Sequence, residues 1–154
     1  MSCNRSARSS VFFTRRSIGL RNNTIRARVE FVIVGGFAAV AHGVTRLTQD
    51  IDICCDFGEE NLERIEKAMR GLHPVHRMTP KRIPLDFSDG KAKGLRNLYL
   101  DTDYGQLDCL SAIEGIGAFD EVRRQSVEIE LDAGRCRVLS VEALIRAKRA
   151  MNRP

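Results

Sequence analysis

Two aspartates, Asp50 and Asp52, interrupt an apolar run that continues through Ile51, Ile53, Cys54 and Cys55. A run of this length and content predicts a strand over Asp50–Cys55. On a strand, residues two apart project from the same face. Both carboxylates therefore point one way, while Ile51 and Ile53 point the other way and anchor the strand in a core. Two carboxylates held a few ångströms apart repel unless a cation lies between them. A hard divalent cation with oxygen ligands, Mg2+ or Mn2+, is the ion such a pair selects.

The segment upstream sharpens this. Glu30–Val34 reads as a strand that runs into Gly35-Gly36, and the Ala-rich stretch Phe37–His42 reads as a short helix closed by Gly43. Glycines at a strand-to-helix turn let a ligand approach the backbone. The free N–H groups of a helix start suit phosphate. A phosphate cradle beside a carboxylate metal site is the equipment of phosphoryl or nucleotidyl transfer.

Further along, Glu59–Leu72 is expected to be an amphipathic helix, with Leu62, Ile65, Met69 and Leu72 on one face. His73–Gly94 reads as an irregular connection with a short strand hidden near Arg82–Phe87. Leu95–Leu100 and Gln106–Leu110 read as a hairpin turning over Asp101–Gly105, and Val127–Leu131 with Arg135–Leu139 as a second hairpin. Ser140 is placed as the N-cap of a last helix to about Met151. The order predicts a mixed α/β (α+β) domain with a mixed sheet, its helices packed mainly on one face, rather than a doubly wound parallel sheet.

The formal net charge of +5 is unevenly spread. Residues 1–28 hold seven Arg and no acid, which leaves 18 basic against 20 acidic side chains in residues 29–154. A basic domain surface, the footprint of tight duplex binding, is therefore not expected outside the leader. Residues 1–28 read as a disordered basic leader. A helix over Thr14–Arg28 packed on the domain and an organellar presequence are the competing readings. The five Cys form no C-x-x-C pair and read as reduced thiols of a cytoplasmic protein. No apolar run approaches the roughly 20 residues of a membrane helix, so no membrane partner is expected.

The combination of Gly35-Gly36, Asp50-x-Asp52 and the fuller string Val32–Ile53 (VIVGGFAAVAHGVTRLTQDIDI) resembles the polymerase-β-like nucleotidyltransferases, in particular the minimal, toxin-type branch that includes the AbiEii-like proteins. The resemblance covers roughly residues 30–150. It implies the nucleotidyltransferase fold and two Mg2+ or Mn2+ ions held by Asp50, Asp52 and a third carboxylate from a later strand. Asp108, in the middle of Gln106–Leu110, matches that third position better than the turn residues Asp101 and Asp103. It further implies transfer of an NMP from a nucleoside triphosphate to a hydroxyl, with Gly35 and Gly36 cradling the phosphates and Asp108 helping to remove the hydroxyl proton. The acceptor could be a tRNA end, another RNA, a protein or a small molecule. A toxin role with a cognate antitoxin is one version.

Arg46 and Thr48, between helix and strand, fall near the expected phosphates, and Lys148 on the last helix resembles a cation that reaches the triphosphate. Each has a plain alternative: a surface ion pair for Arg46, a solvated basic face for Lys148, and for His42 a helix-end packing role in place of nucleotide contact. The chain departs from the family pattern in having Gly35-Gly36-Phe37 where many members have Gly-Ser. It also ends at Arg153-Pro154, where relatives continue into helices that shape the base and acceptor sites. Two other function classes stand beside the enzyme: a non-catalytic nucleotide-binding or interaction module of the same fold, and a nucleic-acid binder acting through the Arg-rich leader.

Overall fold

The computed structural model describes residues 15–45 and 50–152. The chain begins with α1 (Arg15–Arg26), then β1 (Phe31–Val34), α2 (Gly35–Ala41), β2 (Ile51–Cys55) and α3 (Glu59–Met69). β3 (Val75–His76), a 3-10 turn at Ser88–Gly90, β4 (Asn97–Thr102) and β5 (Gly105–Leu110) follow. The last third holds the two-residue strands β6 (Ala112–Ile113) and β7 (Gly117–Ala118), then α4 (Phe119–Arg124), β8 (Ser126–Leu131), β9 (Gly134–Leu139) and α5 (Val141–Met151).

Seven strands form one mixed sheet in the order β3-β4-β5-β2-β1-β9-β8, and β6 and β7 pair separately. β2 lies at the centre, antiparallel to β1 and parallel to β5. The chain adopts the mixed α+β class expected from the element order, but its helices are not mainly on one face: α1 and α3 cover one side of the sheet, α4 and α5 part of the other.

The period of two along each strand sorts residues between two faces. Ile33, Ile51, Ile53, Cys55, Leu98, Leu100, Leu107, Cys109 and Val138 share one cluster with Leu20 of α1 and with Leu62, Ile65, Ala68 and Met69 of α3. The second face is divided. Its β1–β9 side buries Val32, Val34, Cys54 and Leu139 against Phe119 and Val122 of α4 and Ala143 of α5. Its β2–β5–β4 side carries Asp52, Asp108, Gln106, Tyr99 and Asp101, all half-buried.

Of the three readings of the N-terminal segment, the packed helix describes residues 15–26, and the disordered leader does not hold there. Leu20 is fully buried, and the Thr24 hydroxyl donates to Leu20 O (2.8 Å) inside the helix. Gly19 faces the Tyr104 ring, which an added Cβ would meet at 2.8 Å, so the bare helix surface lets the β4–β5 turn approach. The packed unit therefore includes residues assigned to the leader. Residues 1–14 lie outside the described part.

Ser140 caps α5 as expected, accepting from the Ala143 N–H at 3.2 Å. The strand expected near Arg82–Phe87 is a single bridge, Val75 to Pro84, against β3. The elements between Leu110 and Ser126 had no counterpart in the sequence reading.

Candidate active site

The site is built by register. Val34 on β1 is paired with Asp52 on β2, Asp52 with Asp108 on β5, and Asp108 with Tyr99 on β4. Paired residues on neighbouring strands share a face and lie within side-chain reach. Asp52 and Asp108 thus stand side by side on the open part of the second face, although 56 positions separate them in the sequence. Asp108 lies mid-strand and on the same face as Asp52. Asp50 sits in the bend immediately before β2 and is exposed.

Asp52 feels both neighbouring carboxylates. The Asp52 carboxyl is pushed up from 3.8 to about 6, first by burial, then by the negative charges of Asp108 and Asp50, with Arg77 acting in the opposite sense. This is the electrostatic signature of an acidic cluster that lacks sufficient compensating charge.

Gly35 completes the wall. It takes a left-handed conformation (φ +65), which glycine adopts without steric cost. A Cβ at that position would come within 2.5 Å of Asp52 Oδ2. The first glycine of the pair therefore has a demonstrable reason to be glycine: it leaves Asp52 room. Gly36 lies in the first turn of α2 and is half-buried.

Arg77, which the sequence reading passed over, enters this cluster. Its Nη2 donates to Asp108 Oδ1 at 2.5 Å, and its guanidinium lies 5.6 Å from the centre of the Tyr99 ring. Its backbone N–H donates to Tyr99 O at 2.9 Å, fixing the start of the 77–83 loop on β4. The base of that loop is closed by the His76 N–H donating to Ile83 O (2.8 Å). Two residues beyond Tyr99 on β4, Asp101 pairs with Arg82 at 3.0 Å on the same face. No motif marks Arg77. It is one of several basic residues in an irregular stretch, and only the pairing of β3 with β4 brings it to Asp108.

Among the described residues, no three His, Cys, Asp or Glu side chains converge tightly enough to hold an ion as they stand. The donor chemistry nonetheless fits a hard divalent cation. Asp52 and Asp108 supply carboxylate oxygens on one half-open face, Asp50 adjoins them, and Gly35 keeps the approach to Asp52 clear. Asp108 is engaged by Arg77 instead of being turned wholly toward Asp52.

The remaining expectations divide. Arg46 and Thr48 lie outside the described residues. Lys148 sits on the exposed side of α5, in a shallow depression of about 360 Å³ with Ile145, Arg149 and Asn152, and no ion pair or hydrogen bond joins it to the aspartates. Its solvated-face alternative describes it better. His42 Nε2 lies 2.8 Å from Leu139 O, linking the end of α2 to β9, so it plays the helix-end role. The thiols at 54, 55, 109 and 136 are free and buried, and burial pushes Cys54 up to about 12, away from the thiolate form. Among the described residues, no helix is long and apolar enough to cross a membrane.

Compared with known proteins, no family model matches the chain and no curated protein matches it in sequence.

Proposed function

We propose that the chain is a metal-dependent nucleotidyltransferase of the cytoplasm that moves an NMP from a nucleoside triphosphate to a hydroxyl on RNA, protein or a small molecule. The observation that carries this reading is the register pairing of Asp52 with Asp108 on an open sheet face, with Asp50 close enough to contribute to the raised Asp52 pKa. Asp50, Asp52 and Asp108 are the residues that would hold Mg2+ or Mn2+. When bound, the ions neutralise triphosphate charge and lower the pKa of the acceptor hydroxyl.

The chain's own residues do the rest. Gly35 keeps the backbone low beside Asp52, so a phosphate oxygen can approach. The acceptor oxygen attacks the α-phosphorus, the bond to the bridging oxygen breaks, and pyrophosphate leaves with the electron pair. The hydroxyl proton passes to a carboxylate, and Asp108 is the candidate. A toxin paired with an antitoxin is one biological setting for such an activity.

One observation favours a second reading. Asp108 is already neutralised by Arg77, which is how a non-catalytic nucleotide-binding or interaction module could keep the fold without a cation. The two readings separate in one experiment: Mg2+- or Mn2+-dependent transfer from the four α-32P-labelled NTPs to total RNA and total protein, with an Asp50→Ala/Asp52→Ala control. Label in one fraction that vanishes in the control supports the enzyme. No label with any nucleotide, from folded protein, supports the module.

A further inference from the structure

The 77–83 loop presents a cation to the acidic cluster, and its geometry is too specific for an incidental surface pair. Arg77 and Asp108 are only 26% and 20% exposed at the side chain, against 72% for Arg82 in the neighbouring pair with Asp101. The Arg77 guanidinium is held by Asp108 Oδ1 and by the Tyr99 ring beneath it, and the Arg77 backbone is anchored separately at Tyr99 O. Its Nε is buried and makes no hydrogen bond. An arginine that leaves a buried donor unsatisfied to reach a carboxylate is held there by charge, since an unmade buried hydrogen bond is costly.

We propose that Arg77 is the built-in counter-ion of the site, occupying Asp108 until a divalent cation displaces it. This inference rests on the reading of Asp50, Asp52 and Asp108 as a cation site. Asp108 cannot give the same oxygen to Arg77 and to an ion at full strength, so the two compete. A carboxylate free for only a tenth of the time weakens apparent cation affinity about tenfold. Arg77 is thus a positioning residue: it sets where Asp108 points and at what cation concentration the carboxylates converge. Movement of the guanidinium off Asp108 also takes it off Tyr99, and the chain has no Trp and only two Tyr, so tyrosine fluorescence reports the exchange.

The test is Mn2+ binding to the full chain, read as free Mn2+ by electron paramagnetic resonance, for wild type, Arg77→Gln, Arg82→Gln, Asp108→Asn and Arg77→Gln/Asp108→Asn. Arg77→Gln is expected to bind Mn2+ about tenfold more tightly than wild type. Arg82→Gln removes the same charge from the same face and is expected to change affinity less than about threefold, the effect of an exposed pair. With Asp108 already neutral, the Arg77 substitution should gain less than about threefold, the part due to its charge near Asp52. Should Arg77→Gln not fold, Arg77→Lys, which loses the planar fork but keeps the charge, serves instead and should bind a few-fold more tightly. In parallel, Mg2+ should change the tyrosine fluorescence of Tyr104→Phe protein, and the further Arg77→Gln change should abolish that response.

Equal gains in Arg77→Gln and Arg82→Gln would reduce the effect to net charge and overturn the proposal. So would a gain of about tenfold that survives Asp108→Asn, or no gain at all. Binding by wild type without the Arg77 effect overturns this inference alone. No Mn2+ binding by any form overturns the cation-site reading and the inference together.

Discussion

The two faces of the central sheet come from the same strands and behave differently. On one face Ile33, Ile53, Leu98, Leu107 and Cys109 are almost fully buried beneath α1 and α3. On the other, one residue along each strand, Asp52, Asp108 and Tyr99 stand half-exposed. A strand alternates faces, so a single segment such as Ile51–Cys55 can supply core and site at once. The covered face gains stability from burial at roughly 25 cal/mol per Å². The open face spends some of that stability on a crowded set of carboxylates. Damage to the first should appear as unfolding and damage to the second as lost binding, with stability unchanged or improved.

The largest effect should follow from Leu20→Ala on α1. Removing a fully buried leucine costs about 3 kcal/mol, measured by urea denaturation, and would mark α1 as part of the domain rather than an appendage. A loss below about 0.5 kcal/mol would return residues 15–26 to the status of a leader.

Gly35→Ala comes next and touches both faces of the comparison. A non-glycine residue in the left-handed region costs about 1–2 kcal/mol, and the new Cβ would press on Asp52. Stability and Mn2+ affinity should fall together.

Asp52→Asn should act in the opposite direction. The folded-state pKa of Asp52 is raised to about 6 from 3.8, so an unfolded chain ionises first as pH rises through that window. Folding then takes up a proton, and cation-free protein loses stability between about pH 4 and pH 6. In EDTA at pH 7.5 the asparagine variant should be more stable by on the order of 1 kcal/mol after allowing for solvent screening, and its pH profile flatter. Denaturant melts at pH 4.5 and 7.5 decide it. A destabilised variant would mean that Asp52 makes a favourable contact the cluster depends on.

Arg82→Gln should do least. Its pair with Asp101 is exposed on the arginine side, and a change of no more than about 0.5 kcal/mol is expected in the same melts.

Much of this arrangement is legible in the chain. The central strand, the glycine turn and the Asp108 strand each carry a local signal: alternation, a strand running into Gly35, an acid between Leu107 and Cys109 after the Gly105 turn. What is not legible depends on long-range packing. The buried side of α1 is formed by Ser17, Leu20, Arg21 and Thr24, mostly polar or charged, so its helical stripe looks like the composition of a disordered leader. Arg77 reaches Asp108 only because a two-residue strand, Val75–His76, sets its register on β4, and two residues have no periodicity to read. β6 and β7 are equally short, and α4 spans only six residues. Lys148 lies on the exposed outer side of α5, and no local pattern in the chain distinguishes it from the basic residues around it.

The central claim is that the open face holds a divalent cation on Asp50, Asp52 and Asp108. Its most direct test is chemical denaturation of wild type and Asp52→Asn with and without saturating Mg2+ or Mn2+. A ligand bound only by the folded state adds about 2.7 kcal/mol at one hundred times its dissociation constant. The account predicts a gain of that order for wild type and essentially none for Asp52→Asn. Equal gains in both, or none in wild type, would contradict it.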